Sequence, residues 1–455
     1  MHSGAALAGD VPVLGTPWVV SDVPRGAPIA LALDIRLPNN VPLSLAELSD
    51  FALRNNPGTR VAWANAMVDR AGIAAARALL QPYVALSVPL TFDHATTTGN
   101  SSTAAASAAS GLTRSFSPNL GLTWVLFDFG ARASGVEAAR WQAVASQLGY
   151  NRELQTVVSA VEQAYYGLLG ARQLQAVLQL GVQAARASLD VVQARRRRGF
   201  STGGEIAQAE AAWADAQLQL VRAQATARSA AGSLANAVGL PVNTVLYLAD
   251  DEVTSPGAVN RPNAPRVDEL LATARTSRAD LVALNALILQ GNAQLAAAEA
   301  QGRPTLALSA QAAQRWGSDK DTSSTQQLAF TLSIPLFDGG LVRAQTQAAR
   351  ARVQVYAAQR DQQRQSVDLE VWQRFQIADS AEAVIDSAQA LLRSATVAEG
   401  AARERYGAGV GSLLELLVAQ STAAQARVSV VQARYDARLA VARLGYAVGA
   451  RAVPN

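Results

Sequence analysis

The 455-residue chain has no cysteine. That excludes disulfides, thiolate metal sites, cysteine nucleophiles and a lipid-modified cysteine, and it suits an oxidising compartment such as the periplasm without requiring one. Its two histidines, His2 and His94, fall in a tail and a polar loop. No Ser-His-Asp triad or HExxH zinc site can be assembled from them, no Asp/Glu pair stands out for hydrolysis, and neither enzyme chemistry nor a cofactor is expected. Gly407, Gly409 and Gly411 follow a helical pattern and lack a following lysine, which argues against a phosphate loop. Aromatics make up 5% of the chain, too few for a large compact core. No uninterrupted apolar run reaches the roughly 18–20 residues of a membrane helix, so any membrane contact is expected through β-strands or at the surface. One-sided charge is scarce as well: Lys+Arg number 39 against 35 Asp+Glu, and most arginines are interleaved with Glu, Asp and Gln. No basic strip carries interleaved aromatics, so nucleic acid is not an expected partner.

What is abundant is alanine and valine, decorated with Gln, Arg and Glu. That composition suits long helices packed closely side by side. The chain also repeats itself. "LAELSDFALRNNP" from Leu45 and "VDELLATARTSRA" from Val267 share a pattern at an offset of 222, which also carries Pro82 onto Pro304. Further on the offset is 210, carrying Asp128 onto Asp338, Ala139-Arg140 onto Ala349-Arg350 and Glu205 onto Glu415. The division is therefore an N-terminal segment (1–40), repeat 1 (41–239), a Pro/Asn/Gly-rich linker (240–266) with room for one short strand, repeat 2 (267–449) and a tail (450–455). Ala6-Leu7-Ala8 reads as the remnant of a truncated signal peptide, an ordinary N-terminus being the alternative.

Each repeat reads as short helix, helix, strand, loop, strand, very long helix, helix. The strands are expected at about 83–93, 115–127, 305–316 and 325–337 from period-two alternation, as in Leu86, Val88, Leu90, Phe92 or Leu328, Phe330, Leu332, Ile334, Leu336. A soluble hairpin packed on a helix would show the same alternation. Four strands cannot close a barrel, however, so copies of the chain would be needed to remove the open edges. The long helices are expected from Gly130 to about Arg197 and from Gly340 to about Tyr406, each about 100 Å long at 1.5 Å per residue. Leu154, Val158, Val161, Tyr165 and Leu168 step as a heptad seam. Gly149, Gly167, Gly170 and Gly181 weaken such a helix, with close packing as the expected offset.

At "VLFDFG" (Val125 to Gly130) and "PLFDGG" (Pro335 to Gly340) the sequence resembles the TolC-like outer-membrane channel family, over nearly the whole chain; "LSLAELSDFALRNNP" from Leu43 is similar to that family's first helix. The resemblance implies a mixed α/β membrane channel: a homotrimer whose four strands per chain form a 12-stranded β-barrel in outer-membrane lipid of a Gram-negative cell, continued by a long α-helical periplasmic barrel. In the family the Leu-Phe-Asp motif joins strand to helix. Pro335 can end a ladder, Gly130 and Gly340 permit the turn, and Asp128 and Asp338 can cap the helices.

The resemblance also places function at the helical tips, "RRRRGFSTGGE" from Arg195 and "RERYGAGVGSLLE" from Arg403. There Gly199, Gly409, Thr202, Ser412 and Arg198 would contact a periplasmic adaptor. Tyr406 would tie the closed state by bonding to Glu205, and Glu415 would join a carboxylate ring at the constriction. Two departures stand out: the family's gating arginine falls at Gly411 and a second ring carboxylate at Val418, so other residues such as Arg195 to Arg198 could serve as the latch. That run could equally dock an acidic adaptor or be a solvated face. The expected function is a passive exit duct served by an adaptor and an inner-membrane transporter, expected to be an ABC exporter. Type I protein secretion is preferred, in likeness to cyclolysin-type components. Small-molecule efflux and a soluble coiled-coil scaffold are the alternatives.

Overall fold

The computed structural model describes residues 42–95, 111–249, 266–317 and 322–449. The expected signal remnant, the tail, most of the linker and both strand-joining loops lie outside the described residues. Two compact units are present. One comprises the described residues up to Asn65, Ser146–Ala283 and those from Asp361; the other comprises Ala66–Ala145 and Leu284–Arg360.

The repeat is visible as matched elements. Helices α1 (Leu45–Asn55), α2 (Pro57–Ala78), α3 (Ala131–Arg197) and α4 (Gly203–Val238) have 11, 22, 67 and 36 residues. Helices α5 (Val267–Ser277), α6 (Ala279–Ala300), α7 (Leu341–Gly407) and α8 (Leu413–Val448) have the same four lengths. The first pairs are related by the 222 offset and the last pairs by 210, so the length change between repeats falls between the second helix and the third.

The sheet unit holds β1 (Tyr83–Ser87), β2 (Leu90–Ala95), β3 (Gly111–Phe116), β4 (Asn119–Phe127), β5 (Thr305–Gly317) and β6 (Thr322–Ser333). All pairings are antiparallel: β1 with β4, β2 with β3, β4 and β3 with β5, and β5 with β6. The two strands expected in repeat 1 are thus each split, at Pro89 and at Pro118. Neither proline has an N–H for the ladder, but their carbonyls still accept from Ser117 (3.1 Å) and Gln314 (3.1 Å). The fourth strand, expected to reach 337, ends at Ser333, ahead of Pro335. β1 and β2 on one side and β6 on the other each pair with a single described strand, so their outward edges have no described partner.

Register sorts the side chains into two faces. Val84, Leu122, Ala310 and Leu328 form one row, and Leu308, Trp124 and Phe330 another. The opposite face carries Thr91 bonded to Ser115 (2.6 Å) and Gln311 bonded to Gln327 (3.0 Å). The apolar face is open in the single chain, with Leu86 67% and Phe330 65% exposed.

The helical unit buries α1 against α3 and α4. Leu48, Ala52, Val157, Val161, Tyr165, Leu168, Leu234 and Val238 form its core. Val157, not Val158, is the buried member of the seam; a step of 3.5 residues falls between integers and the structure takes the shorter one. Leu43 makes an isolated parallel bridge to Leu248, and the described part of the linker forms no strand. Of the four glycines expected at close helix approaches, only Gly170 has a neighbour within the chain, where an added Cβ would lie 3.1 Å from Cγ of Tyr435. α6 corrects the expectation that no segment suits a membrane helix, since by length and composition it qualifies, with mean hydropathy 1.3. Many small alanine contributions produce that average; Asn285, Gln290, Asn292 and Gln294 interrupt every apolar run.

Candidate functional site: strand–helix junctions and helical tips

At the junctions the aspartates cap the long helices. Asp128 accepts from the N–H groups of Gly130 (3.2 Å) and Arg132 (3.1 Å) and from Nε of Arg132 (2.6 Å). Burial opposes its ionisation, but the Arg132 guanidinium and the backbone donors prevail and hold the carboxyl below its ordinary value. Asp338 accepts from Val342 (2.8 Å) and Gly340 (2.8 Å), which likewise lower its pKa. Gly130 (φ 89°) and Gly340 (φ 86°) are left-handed, as are Phe129 (φ 54°) and Gly339 (φ 66°) before them. Arg132 had not been foreseen. Besides Asp128, it reaches the carbonyls of Leu79 (2.8 Å) and Val125 (2.6 Å), which ties helix end, strand end and turn together. Its counterpart in repeat 2 is Val342.

A second pair of joints locks the short helices onto the ends of α4 and α8. Nδ2 of Asn56 donates to the Ala237 carbonyl (2.9 Å), and Nη1 of Arg278 donates to the matching Ala447 carbonyl (2.9 Å). Both joints fold around a left-handed glycine, Gly239 (φ 86°) and Gly449 (φ 73°), whose added Cβ would come within 3.0 Å of Asn56 Cα or Arg278 Cγ. In repeat 1 the side chain that holds the carbonyl is neutral, with the Glu153 carboxylate beside Gly58, where an added Cβ would lie 2.6 Å from its Oε1. In repeat 2 the buried Arg278 needs partners and has them in Asp280 (2.7 Å) and Glu370 (2.7 Å). Burial favours the neutral acid of Asp280, yet the hydrogen bonds and charge of Arg278 and the charge of Arg152 dominate and lower its pKa.

At the tips, both helical hairpins turn through a left-handed glycine. Gly199 (φ 82°) donates to Arg196 (2.9 Å), and Gly409 (φ 79°) donates to Tyr406 (3.1 Å). Thr202 and Ser412 are the N-caps of α4 and α8, accepting from Glu205 N–H (3.2 Å) and Glu415 N–H (3.2 Å). The two tips pack together through Leu189, Val192, Ala209, Ala402, Tyr406, Leu413 and Leu416.

The expected Tyr406–Glu205 bond is absent. The carboxylate of Glu205 is taken by the Thr202 N–H (2.7 Å) and the Ser201 hydroxyl (2.8 Å), which hold its pKa low. The buried Tyr406 hydroxyl has no hydrogen-bond partner, and burial raises its pKa. Across the repeats Tyr406 is instead held by Arg195, whose Nη1 donates to the Tyr406 carbonyl (2.6 Å) and whose guanidinium lies 4.7 Å from the ring centroid. Glu415 pairs with Arg405 of its own tip. A side chain at Gly411 would be crowded: its Cβ would fall 3.0–3.1 Å from Arg405 and the Tyr406 nitrogen. Arg198 and Gly199 are exposed.

Alternating strands with one exposed apolar face, joined by capped turns to helical hairpins, define the chain as part of an outer-membrane channel. It belongs to the outer membrane efflux protein family, whose model matches residues 48–240 and 270–450. It is 30% identical to Protein CyaE of Bordetella pertussis over 85% of this chain and 79% of that protein. It is 25% identical to the alkaline protease secretion protein AprF of Pseudomonas aeruginosa over 74% of this chain and 70% of that one. In fold it is similar to the Campylobacter jejuni CmeC outer membrane channel, with TM-score 0.77 and 19% identity over 89% of this chain and 85% of that one. The protein resides in the outer membrane and serves as a channel-tunnel.

Proposed function

We propose that the chain is the passive exit duct of a tripartite system for type I protein secretion. Three copies close a 12-stranded barrel, an adaptor grips the tips from the periplasm, and an ABC exporter in the inner membrane supplies the energy. The observation that carries this reading is the sheet. Its apolar face is exposed and the outward edges of its outer strands have no described partner, a combination that closure against further copies in lipid removes. Arg114 and Trp124 lie on one face ten positions apart across β3 and β4, about 33 Å of extended chain and about 25 Å after a tilt near 40°, the height of an outer-membrane apolar band. Protein cargo is supported by the likeness to a protease secretion component; the family's efflux description favours small-molecule export as the second reading.

The gate is read at the tips. Arg195 takes the place of the arginine missing at Gly411 by joining repeat 1 to Tyr406, with Glu205 fixing the turn and Glu415 facing the constriction. Purified trimer is to be measured in planar bilayers. Arg195→Ala should raise conductance, and Tyr406→Phe should leave it unchanged because the hydroxyl has no partner. Wild-type trimer that forms no channel would overturn the duct, and Arg195→Ala indistinguishable from wild type would overturn the latch.

A further inference from the structure

The two tips are related by the 210 offset, which places Arg195-Arg196-Arg197-Arg198 over Arg405-Tyr406-Gly407-Ala408 and Phe200 over Val410. Their backbones match, and their chemistry does not. Arg195 is spent on Tyr406, and Arg196 donates to the Ser201 carbonyl (2.9 Å). Arg197 and Arg198 are exposed, and no described carboxylate pairs with either. Beside them Phe200 is 72% exposed. This is not a fraying end. Phe200 N–H donates to the Arg195 carbonyl (2.9 Å), Gly199 closes the helix, and Thr202 with Glu205 opens the next. A backbone fixed by these bonds therefore presents an exposed aromatic ring beside two unneutralised guanidinium groups, the residue types that anchor interfaces.

We infer that the repeat 1 tip, and not the repeat 2 tip, docks an adaptor whose own tip is acidic, with carboxylates against Arg197 and Arg198 and an apolar side chain against Phe200. This rests on the channel reading, in which the tips meet an adaptor. It deepens that reading by making the six tips of a trimer two alternating kinds of socket, three cationic and three neutral. An acidic hairpin is also the one whose approach the field of the tip would accelerate.

The test uses full-length trimer in detergent and a designed helical-hairpin peptide whose turn carries two glutamates and a leucine, with a twin carrying lysines instead. Binding is read by interferometry at low and high salt. The acidic hairpin should bind, and R197E/R198E should weaken it about tenfold, the scale of two rim ion pairs turned to repulsion. G407R/A408R should raise the number bound per trimer, since a Cβ at Gly407 meets nothing within 4 Å. Equal binding of the lysine twin, or no effect of R197E/R198E, overturns the inference. So does dissociation of the R197E/R198E trimer on gel filtration, which would assign the arginines to a neighbouring copy. Wild-type conductance is read in parallel: a conducting trimer that ignores the acidic hairpin refutes this inference alone, whereas a non-conducting one refutes the duct.

Discussion

Replacing Arg278 by alanine should loosen the end of α8 far more than replacing Asn56 loosens the end of α4. The two residues do the same job, each donating to the carbonyl one residue before the helix end. Arg278 is 3% exposed and bonded to Asp280, Glu370 and Ala447. Its removal takes the nearest cation from both carboxylates and leaves Asp280 with Arg152 (3.9 Å) and Gln363 (3.1 Å). Breaking a buried pair costs about 3–5 kcal/mol, and because Asp280 and Glu370 are partly solvated we take the lower end, about 3 kcal/mol. That corresponds to an increase of about 150-fold in local opening. Asn56→Ala removes neutral bonds worth about 1 kcal/mol, or about fivefold.

Hydrogen exchange reads both joints in one sample. Gly449 N–H, bonded to Tyr446 (3.1 Å), reports the α8 joint, and Gly239 N–H, bonded to Asn236 (3.0 Å), reports the α4 joint. The matched repeat supplies the decisive control. R278N/D280G gives the second joint the residues of the first, Asn56 and Gly58, and should recover most of the lost protection. If R278A exchanges within about threefold of wild type, the buried-pair argument fails. If R278N/D280G is as damaged as R278A, the two joints are not equivalent.

Further outcomes follow from the same geometry. Because the Asp280 pKa is lowered on folding, its contribution is present above the unfolded value near ~3.9 and is lost as pH falls through the folded value. Exchange at Gly449 should therefore rise below about pH 4; an unchanged rate there would refute this. Gly170→Ala should destabilise the trimer by about 1–3 kcal/mol by crowding Tyr435, whereas Gly181→Ala, with open space around it, should stabilise by about 1 kcal/mol. Thermal melts in detergent separate the two. Buried Glu399 binds Arg403 (2.6 Å) and Arg427 (2.7 Å) where repeat 1 has Leu189, Gln193 and Gln217. E399L/R403Q/R427Q should be neutral or stabilising and E399L alone destabilising, as melting will show.

The sequence made the helices legible because length is written as the absence of breakers. No proline interrupts α3, α4, α7 or α8, and each hairpin turn carries its glycine and cap. The strands were legible as faces but not as pieces, because alternation runs unbroken through Val88 and Leu90 while Pro89 interrupts the ladder between them. The tips were half legible. Glu205 stood in the position of a partner for Tyr406, but it also stood three residues after Thr202, and the local capping box won the carboxylate. The ionic joint was the least legible, since Arg152, Arg278, Asp280 and Glu370 meet only after folding. One signal was present in the chain itself. Set one repeat on the other, and Asn56 becomes Arg278 just where Gly58 becomes Asp280, a charge and its partner gained together.

That paired change bears on how the duplicate halves came to differ. Helix lengths, the N-cap residues of α4 and α8 and the left-handed glycines that end them are shared, so the backbone still treats the halves as equivalent. Charge does not. Inside repeat 2, Arg278 and Glu399 are each met by opposite charge, as burial demands. Buried ion pairs add little stability over apolar packing, and repeat 1 holds the same joints without them. At the tips the gain lies in repeat 1, and at Arg197 and Arg198 no described carboxylate meets it. A buried charge must bring its partner within the chain. An exposed one at a rigid apex need not, and can leave the partner to another molecule. Compensated charge therefore marks where the chain distinguishes its two arms internally, and uncompensated charge marks where it presents a difference to something outside.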